Sequence, residues 1–249
     1  MQSEDQRSIR RLEELEYQSR SFRSYTFSDF LTPMEASLAC ETADSRSLRL
    51  WGGYESAERV VARFGNAGEL GYEEEFPIRI LRIAPGNEKF AEELGHRDYL
   101  GSLISLGIER SVLGDILVDG KTAYVFVLDR MAEFVKDALV KVRHTRVSAE
   151  EVETLPDSAG PTLERRELVV SSPRLDGVIS KLYGFSRSEA KAVFAKQEVF
   201  RNGRLCMNAS AALEEGDLVS VRHHGRFIFR GGLRQTKKGK ERVAVEVYT

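Results

Sequence analysis

Pro173 to Val221 reads PRLDGVISKLYGFSRSEAKAVFAKQEVFRNGRLCMNASAALEEGDLVSV. Leu175, Val178, Ile179 and Leu182 fall at i, i+3, i+4 and i+7, one apolar stripe of a helix. Gly184 stops that helix. Ser186-Arg187-Ser188-Glu189 has capping-box spacing, so a second helix starts at Ser186. Ala190, Val193 and Phe194 are its inward face; Arg187 and Lys191, four apart, share the other. Val199-Phe200-Arg201 and Arg204-Leu205-Cys206 flank Asn202-Gly203, a strong signal for a two-residue hairpin. Gly216-Asp217 is a further turn before Leu218 to Val221. The segment predicts two short helices on a small twisted sheet. The start of the second helix offers free N–H groups and a partial positive charge, which suits phosphate. Arg174, Arg187, Lys191, Lys196, Arg201 and Arg204 add cations around it.

Charge extends this reading outward. Pro173 to Thr249 holds 15 Lys and Arg against 8 Asp and Glu, a net of +7 in a chain whose total is −2. The rest of the 249 residues therefore carries −9. A basic C-terminal third on an acidic body suggests a polyanion-binding module joined to something else. Apolar residues make up 41%, enough for a core. The longest clean apolar run, Ala123 to Leu128, is far too short for the roughly 20 residues of a membrane span. Met1 to Arg11 is charged, which argues against a secretory signal. Two distant cysteines, Cys40 and Cys206, make neither a disulfide framework nor a zinc site, so a reduced, cytoplasmic setting is expected.

Upstream, an α-rich segment is expected over residues 1–75. It holds a charged helix over 5–21, a helix capped by Thr32 with Pro33 and Glu35, a strand over Ser47 to Trp51, and a helix over Ser56 to Phe64 stopped by Gly65. Residues 76–150 alternate differently. Strand Phe76 to Ile83, helix Arg97 to Leu106, strands Asp115 to Val118 and Thr122 to Leu128 joined at Asp119-Gly120, helix Met131 to Val140 and strand Val142 to Ser148 give the order βαββαβ. That is the ferredoxin-like, split βαβ pattern, shared by RNA-recognition domains and by many unrelated proteins. Residues 151–167, with Pro156, Gly160 and Pro161, read as a linker to a last domain over 168–249. Its tail carries Lys237-Lys238-Gly239-Lys240 as a basic hairpin tip. The expected fold class is α+β.

The text Arg174-Leu175-Asp176, Ser186 to Lys191, Val199 to Gly203 and Gly216 to Val219 resembles an S4 RNA-binding domain over about 50 residues. The resemblance implies that Arg174, Ser186, Arg187, Ser188, Lys191, Lys196, Arg201, Asn202 and Arg204 face structured RNA, held by shape and phosphate rather than by base sequence. Further text resembles the YlmH-like group of S4-domain proteins: Leu50 to Arg59 (LWGGYESAER), Gly95 to Leu103 (GHRDYLGSL), Leu106 to Arg110 (LGIER) and Gly114-Asp115-Ile116. In that group an N-terminal α/β segment, a ferredoxin-like middle domain and a C-terminal S4 domain occur in this order. It implies a non-catalytic factor that binds rRNA and tRNA on large ribosomal subunits carrying peptidyl-tRNA, in ribosome-associated quality control. The alternatives are an RNA-modifying enzyme of the S4-containing pseudouridine synthase or rRNA methyltransferase type, and a cell-division-linked scaffold. No synthase motif outside the S4 start and no methyl-donor glycine loop is found.

Tyr124 and Phe126 alternate on the third strand of the middle domain, where RNA-recognition domains stack bases. In the usual strand order 4-1-3-2, Arg79 and Arg82 would lie beside Lys141, Arg143 and Arg146, making a second RNA surface. The alternative is that these aromatics pack against a neighbouring domain. His96-Arg97-Asp98 imitates a kinase catalytic loop, but Leu103 stands where that loop needs Asn. Asp98 and His96 are expected to cap and orient the helix or to form an interface. His223-His224 on a strand would point to opposite faces, a poor metal pair. Neither a metal nor a cofactor is expected.

Overall fold

The structure, a computed structural model, describes residues 2–156, 158–235 and 239–248. It divides into two compact units, residues 1–160 and 161–249. Lys237 and Lys238, half of the expected basic hairpin tip, lie outside the described residues.

The first unit begins with α1 (Gln2–Phe22), β1 (Thr26–Leu31), α2 (Pro33–Thr42), β2 (Leu48–Trp51), β3 (Val60–Phe64) and α3 (Ala67–Leu70). Thr32 caps α2 through a complete capping box with Glu35. The strands form an antiparallel sheet in the order β1-β3-β2. The helix expected over Ser56 to Phe64 is instead a turn leading into β3, the central strand. Val61, Ala62 and Phe64 are wholly buried there. Both faces of β3 are covered, so its residues lose the one-sided apolar period that separates strand from helix. Leu12, Leu31, Ala39 and Leu48 complete the core on one side of this sheet.

The unit continues with β4 (Ile78–Pro85), α4 (His96–Ser105), β5 (Leu113–Asp119), β6 (Thr122–Leu128), α5 (Asp129–Ala138), β7 (Lys141–Val142) and β8 (Thr145–Val152). The sheet order β5-β6-β4-β8-β7 is the ferredoxin-like 2-3-1-4 order with a short strand added at the edge. Five of the six residues Ala123 to Leu128 are wholly inaccessible and the sixth, Tyr124, is 7% exposed. Such a continuous apolar run is what a strand covered on both faces requires. One layer comes from the helices, with Tyr99, Leu103, Ala132 and Val135 in the core. The other comes from the N-terminal segment, whose Phe30 and Val61 join the same core. Gly114 permits the contact: a Cβ there would stand 2.7 Å from the Phe30 ring and 2.8 Å from Cβ of Phe126.

The second unit contains β9 (Leu163–Val170), α6 (Leu175–Tyr183), α7 (Arg187–Ala195), β10 (Val199–Arg201), β11 (Arg204–Leu205), β12 (Leu218–Val221), β13 (Gly225–Gln235) and β14 (Glu241–Tyr248). Gly184 ends α6 in the left-handed conformation, and Ser186 opens α7 with a complete capping box. Asn202 at φ 49° and Gly203 at φ 76° give the two positive values a type I′ hairpin needs. All six strands form one sheet, β11-β10-β12-β13-β14-β9. Leu175, Val178, Ile179, Val193 and Phe194 pack on it, above Val219, Phe227 and Val245. The expected linker over 151–167 is partly strand. Glu151 and Val152 finish β8, and β9 pairs with β14 from Leu163 to Val170. Those partners lie about 80 residues away, beyond the reach of a local reading. His223 sits in a turn at φ 66°, not in a strand, and His224 packs on Phe185 with ring centroids 4.7 Å apart.

Candidate nucleic-acid interface

In the second unit, an open groove of about 590 Å³ runs between α6, the first turn of α7 and the end of β9. Arg174, Lys181, Arg187, Lys191 and Lys240 line it, with Asp176 as the one acid. Helix packing puts them there. Burial of Ala190, Val193 and Phe194 turns Arg187 and Lys191 outward. Arg174 and Lys181 are seven residues apart, two turns of α6, and reach the same side. The Ser186 hydroxyl accepts the N–H of Glu189, and the Glu189 carboxylate accepts that of Ser186. These bonds hold the Glu189 carboxyl below its ordinary range. Ser188 Oγ lies 3.0 Å from Ser186 Oγ at the mouth of this helix end.

The cations differ in how committed they are. Arg174 forms a bidentate pair with Asp176 at 2.6 and 3.1 Å and reaches Ser210 at 3.0 Å. Lys181, Arg187, Lys191 and Lys196 have no ion pair among the described residues. Arg187 and Lys191 therefore give up no internal bond when they meet a phosphate. Phe185 lines the groove between the two helices.

The structure brings Arg174, Ser186, Arg187, Ser188 and Lys191 together at one helix start. Lys196 is exposed at the far end of α7. Arg201, expected to face RNA, is turned inward: it pairs with Asp217 at 2.7 Å and Glu214 at 3.3 Å, and Asp217 is only 4% exposed. Asn202, likewise expected to face RNA, braces the hairpin. Its Nδ2 donates to Asp217 at 2.9 Å, and its Oδ1 accepts the N–H of Leu218 at 2.9 Å. A buried carboxylate needs this many donors, and none of them is visible from hairpin spacing. Arg204 is half-buried on β11, outside the groove. Lys181 and Phe185 also line the groove and were missed, as was the placing of Lys240 there; the two-turn spacing from Arg174 could have found Lys181.

The second surface expected on the middle domain is not present in that form. Tyr124 is buried and Phe126 fully so, the latter against Tyr54 with ring centroids 5.0 Å apart. The N-terminal segment covers the face on which bases would stack. The strand order is as expected, but β8 runs on to Val152. Its register sets Glu150 opposite Arg82 and Glu151 beside Arg79, with ion pairs of 2.7 and 3.5 Å. Arg143 and Arg146 lie instead at the β7–β8 hairpin with Lys141, all exposed. Arg143 is 3.4 Å from Asp98, whose other oxygen accepts the Gly95 N–H at the start of α4.

The signature text of the first unit does structural work. Asp115 accepts from Tyr54 Oη and the Glu58 N–H, both at 2.7 Å. Arg59 donates to the carbonyls of Leu113 and Phe30 at 2.9 Å. Arg110 donates to those of Leu113 and Gly114. Burial and the neighbouring Arg59 bring Arg110 down to about 10, still charged at neutral pH. Residues far apart in sequence thus clamp the three-stranded sheet to the larger one. Among the described residues no cluster of His, Cys, Asp and Glu could hold a metal, and no helix is long and apolar enough to cross a membrane.

An α+β chain with a covered split βαβ sheet and a cationic groove on a separate helix pair defines a recognisable class, and comparison with known proteins agrees with it. Residues 72–155 match the family model described as "Putative RNA-binding domain in YlmH". The chain is 30% identical over 222 residues to the ribosome-associated protein quality control protein P2 of Bacillus subtilis (strain 168), a match over 88% of this chain and 85% of that one. The solved structure titled "Cell division protein ylmH from Streptococcus pneumoniae" shares the fold at a TM-score of 0.50 and 23% identity, covering 60% of this chain and 91% of its own. The chain belongs to the YlmH family.

Proposed function

We propose that this chain is a non-catalytic RNA-binding factor of ribosome-associated quality control. Residues 161–249 act as an S4 module that grips structured rRNA or tRNA on large ribosomal subunits carrying peptidyl-tRNA. The observation that carries this reading is the groove at the start of α7. There Lys181, Arg187 and Lys191 stand without internal partners beside the end of a helix dipole. The relative's printed name supports the quality-control role, and the family model matched over residues 72–155 supports RNA binding by the chain. Recognition is by backbone and shape: the groove offers charge and N–H groups rather than a donor–acceptor code. The middle domain contributes cations from its β7–β8 hairpin, not aromatics from its sheet. Cytoplasmic work on the ribosome follows from this role.

The test is co-sedimentation of the full chain with large subunits, with and without bound peptidyl-tRNA, at several salt concentrations. Four to six phosphate contacts give log K against log[salt] a slope of about −3 to −5. A flat salt response, or equal binding to free small subunits, refutes the proposal.

A further inference from the structure

The first unit holds a larger groove, about 990 Å³, lined by residues between Arg49 and Glu153. Three consecutive residues of β2, Arg49, Leu50 and Trp51, form one wall, so the groove follows that strand. β2 is an edge strand of its sheet. Ser47 accepts the Gly65 N–H, which sets the alternation of the ladder: Arg49 and Trp51 bond toward β3, and the N–H and C=O of Leu50 point to the open side. Trp51 is 39% exposed, and Phe76 and Ile78 continue the apolar floor.

The groove is acidic on balance. Five glutamates and three arginines line the groove, a net of −2. The arginines are already committed. Arg49 donates to the carbonyls of Ser45 and Leu48, Arg63 to Glu73 and the carbonyl of Glu74, and Arg79 pairs with Glu151. Glu74, Glu75 and Glu153 are exposed and have no ion pair among the described residues. Arg63 is 8% exposed between Tyr25 and Phe76, and its Nε meets no acceptor among the described residues.

We propose that this groove binds an extended cationic peptide of a partner protein, added as a strand to β2. Backbone bonds to Leu50 set its direction, alternate apolar side chains lie on Trp51 and Phe76, and Lys or Arg side chains meet Glu74, Glu75 and Glu153. Free carboxylates repel a phosphate backbone, so charge selects a basic peptide over RNA. The site is independent of the cationic groove in the second unit.

Trp51 is the single tryptophan of the chain and reports directly on the groove. The experiment titrates the full-length protein with the labelled peptide KVKVRVKK, following tryptophan emission and peptide anisotropy together. The peptide EVEVEVEE and a 20-nucleotide RNA hairpin are the comparison arms. The expected result is saturable binding of the cationic peptide with a shift in Trp51 emission and reduced quenching by acrylamide. The variant E74Q/E75Q/E153Q weakens that binding at least fivefold and leaves RNA affinity within twofold. Absence of saturable binding, binding without a change at Trp51, or equal binding by the triple variant overturns the proposal. So does an RNA hairpin that moves Trp51 emission as the peptide does, which would give the groove to nucleic acid.

Discussion

The double substitution R187A/K191A is the most direct perturbation of the cationic groove. Both side chains are exposed, one turn apart on α7, and neither has an internal ion pair among the described residues. A charge-assisted contact to phosphate is worth about 1.5–3 kcal/mol, reduced by competition with water. Half of the lower value for each of two contacts already gives about 1.5 kcal/mol, close to tenfold in affinity. Loss of two phosphate contacts also makes the salt slope shallower by about 1.4–1.8. Folding stability stays within about 0.5 kcal/mol, because alanine is the best helix former and the buried face of α7 is untouched. The assay is an anisotropy titration against large-subunit rRNA fragments at four salt concentrations, paired with a thermal melt. Affinity within twofold of the parent, with an unchanged salt slope and an unchanged melt, would show that RNA binds elsewhere.

Other substitutions separate structure from binding. Arg201→Ala leaves the buried Asp217 short of a cation and costs roughly 1–3 kcal/mol of stability, measured by urea denaturation. An unchanged midpoint with a large loss of RNA affinity would restore Arg201 to the interface. Phe194, 4% exposed, is core, so F194A costs about 3–5 kcal/mol in the same assay. Gly114→Ala drives a methyl into Phe30 and Phe126 and costs about 1–3 kcal/mol; a neutral effect would mean that the N-terminal segment does not cover the sheet. Partial desolvation and the nearby Arg110 hold the largely exposed His96 below its ordinary value, so the unfolded chain binds the proton more readily. The stability from neutral His96 is present above about pH 6.5 and is lost as pH falls through the folded value. Melting temperature followed from pH 8 to 5 should therefore drop less in H96Q than in the parent; parallel curves would remove His96 as the cause.

Local chemistry settled much of this protein before any tertiary contact was known. Ser186 with Glu189 sets where α7 starts, Gly184 where α6 ends, and Asn202-Gly203 where the chain reverses. Each needs only residues within four or five positions, so spacing is enough. The same holds for Asp119-Gly120 and for the order of elements between 76 and 150. Tertiary structure decided what these elements face. Val60 to Phe64 became a central strand because α1, α2 and the larger sheet cover both its sides, which no local period records. Tyr124 and Phe126 were legible as strand aromatics, yet both are buried, Phe126 under Tyr54 of the segment before it. Arg82 found Glu150, and Arg201 found Asp217, through register and through a turn 16 residues away. A cation read from sequence is only a charge; whether it is spent inside the fold or left for a ligand depends on which carboxylate packing brings within about 3 Å.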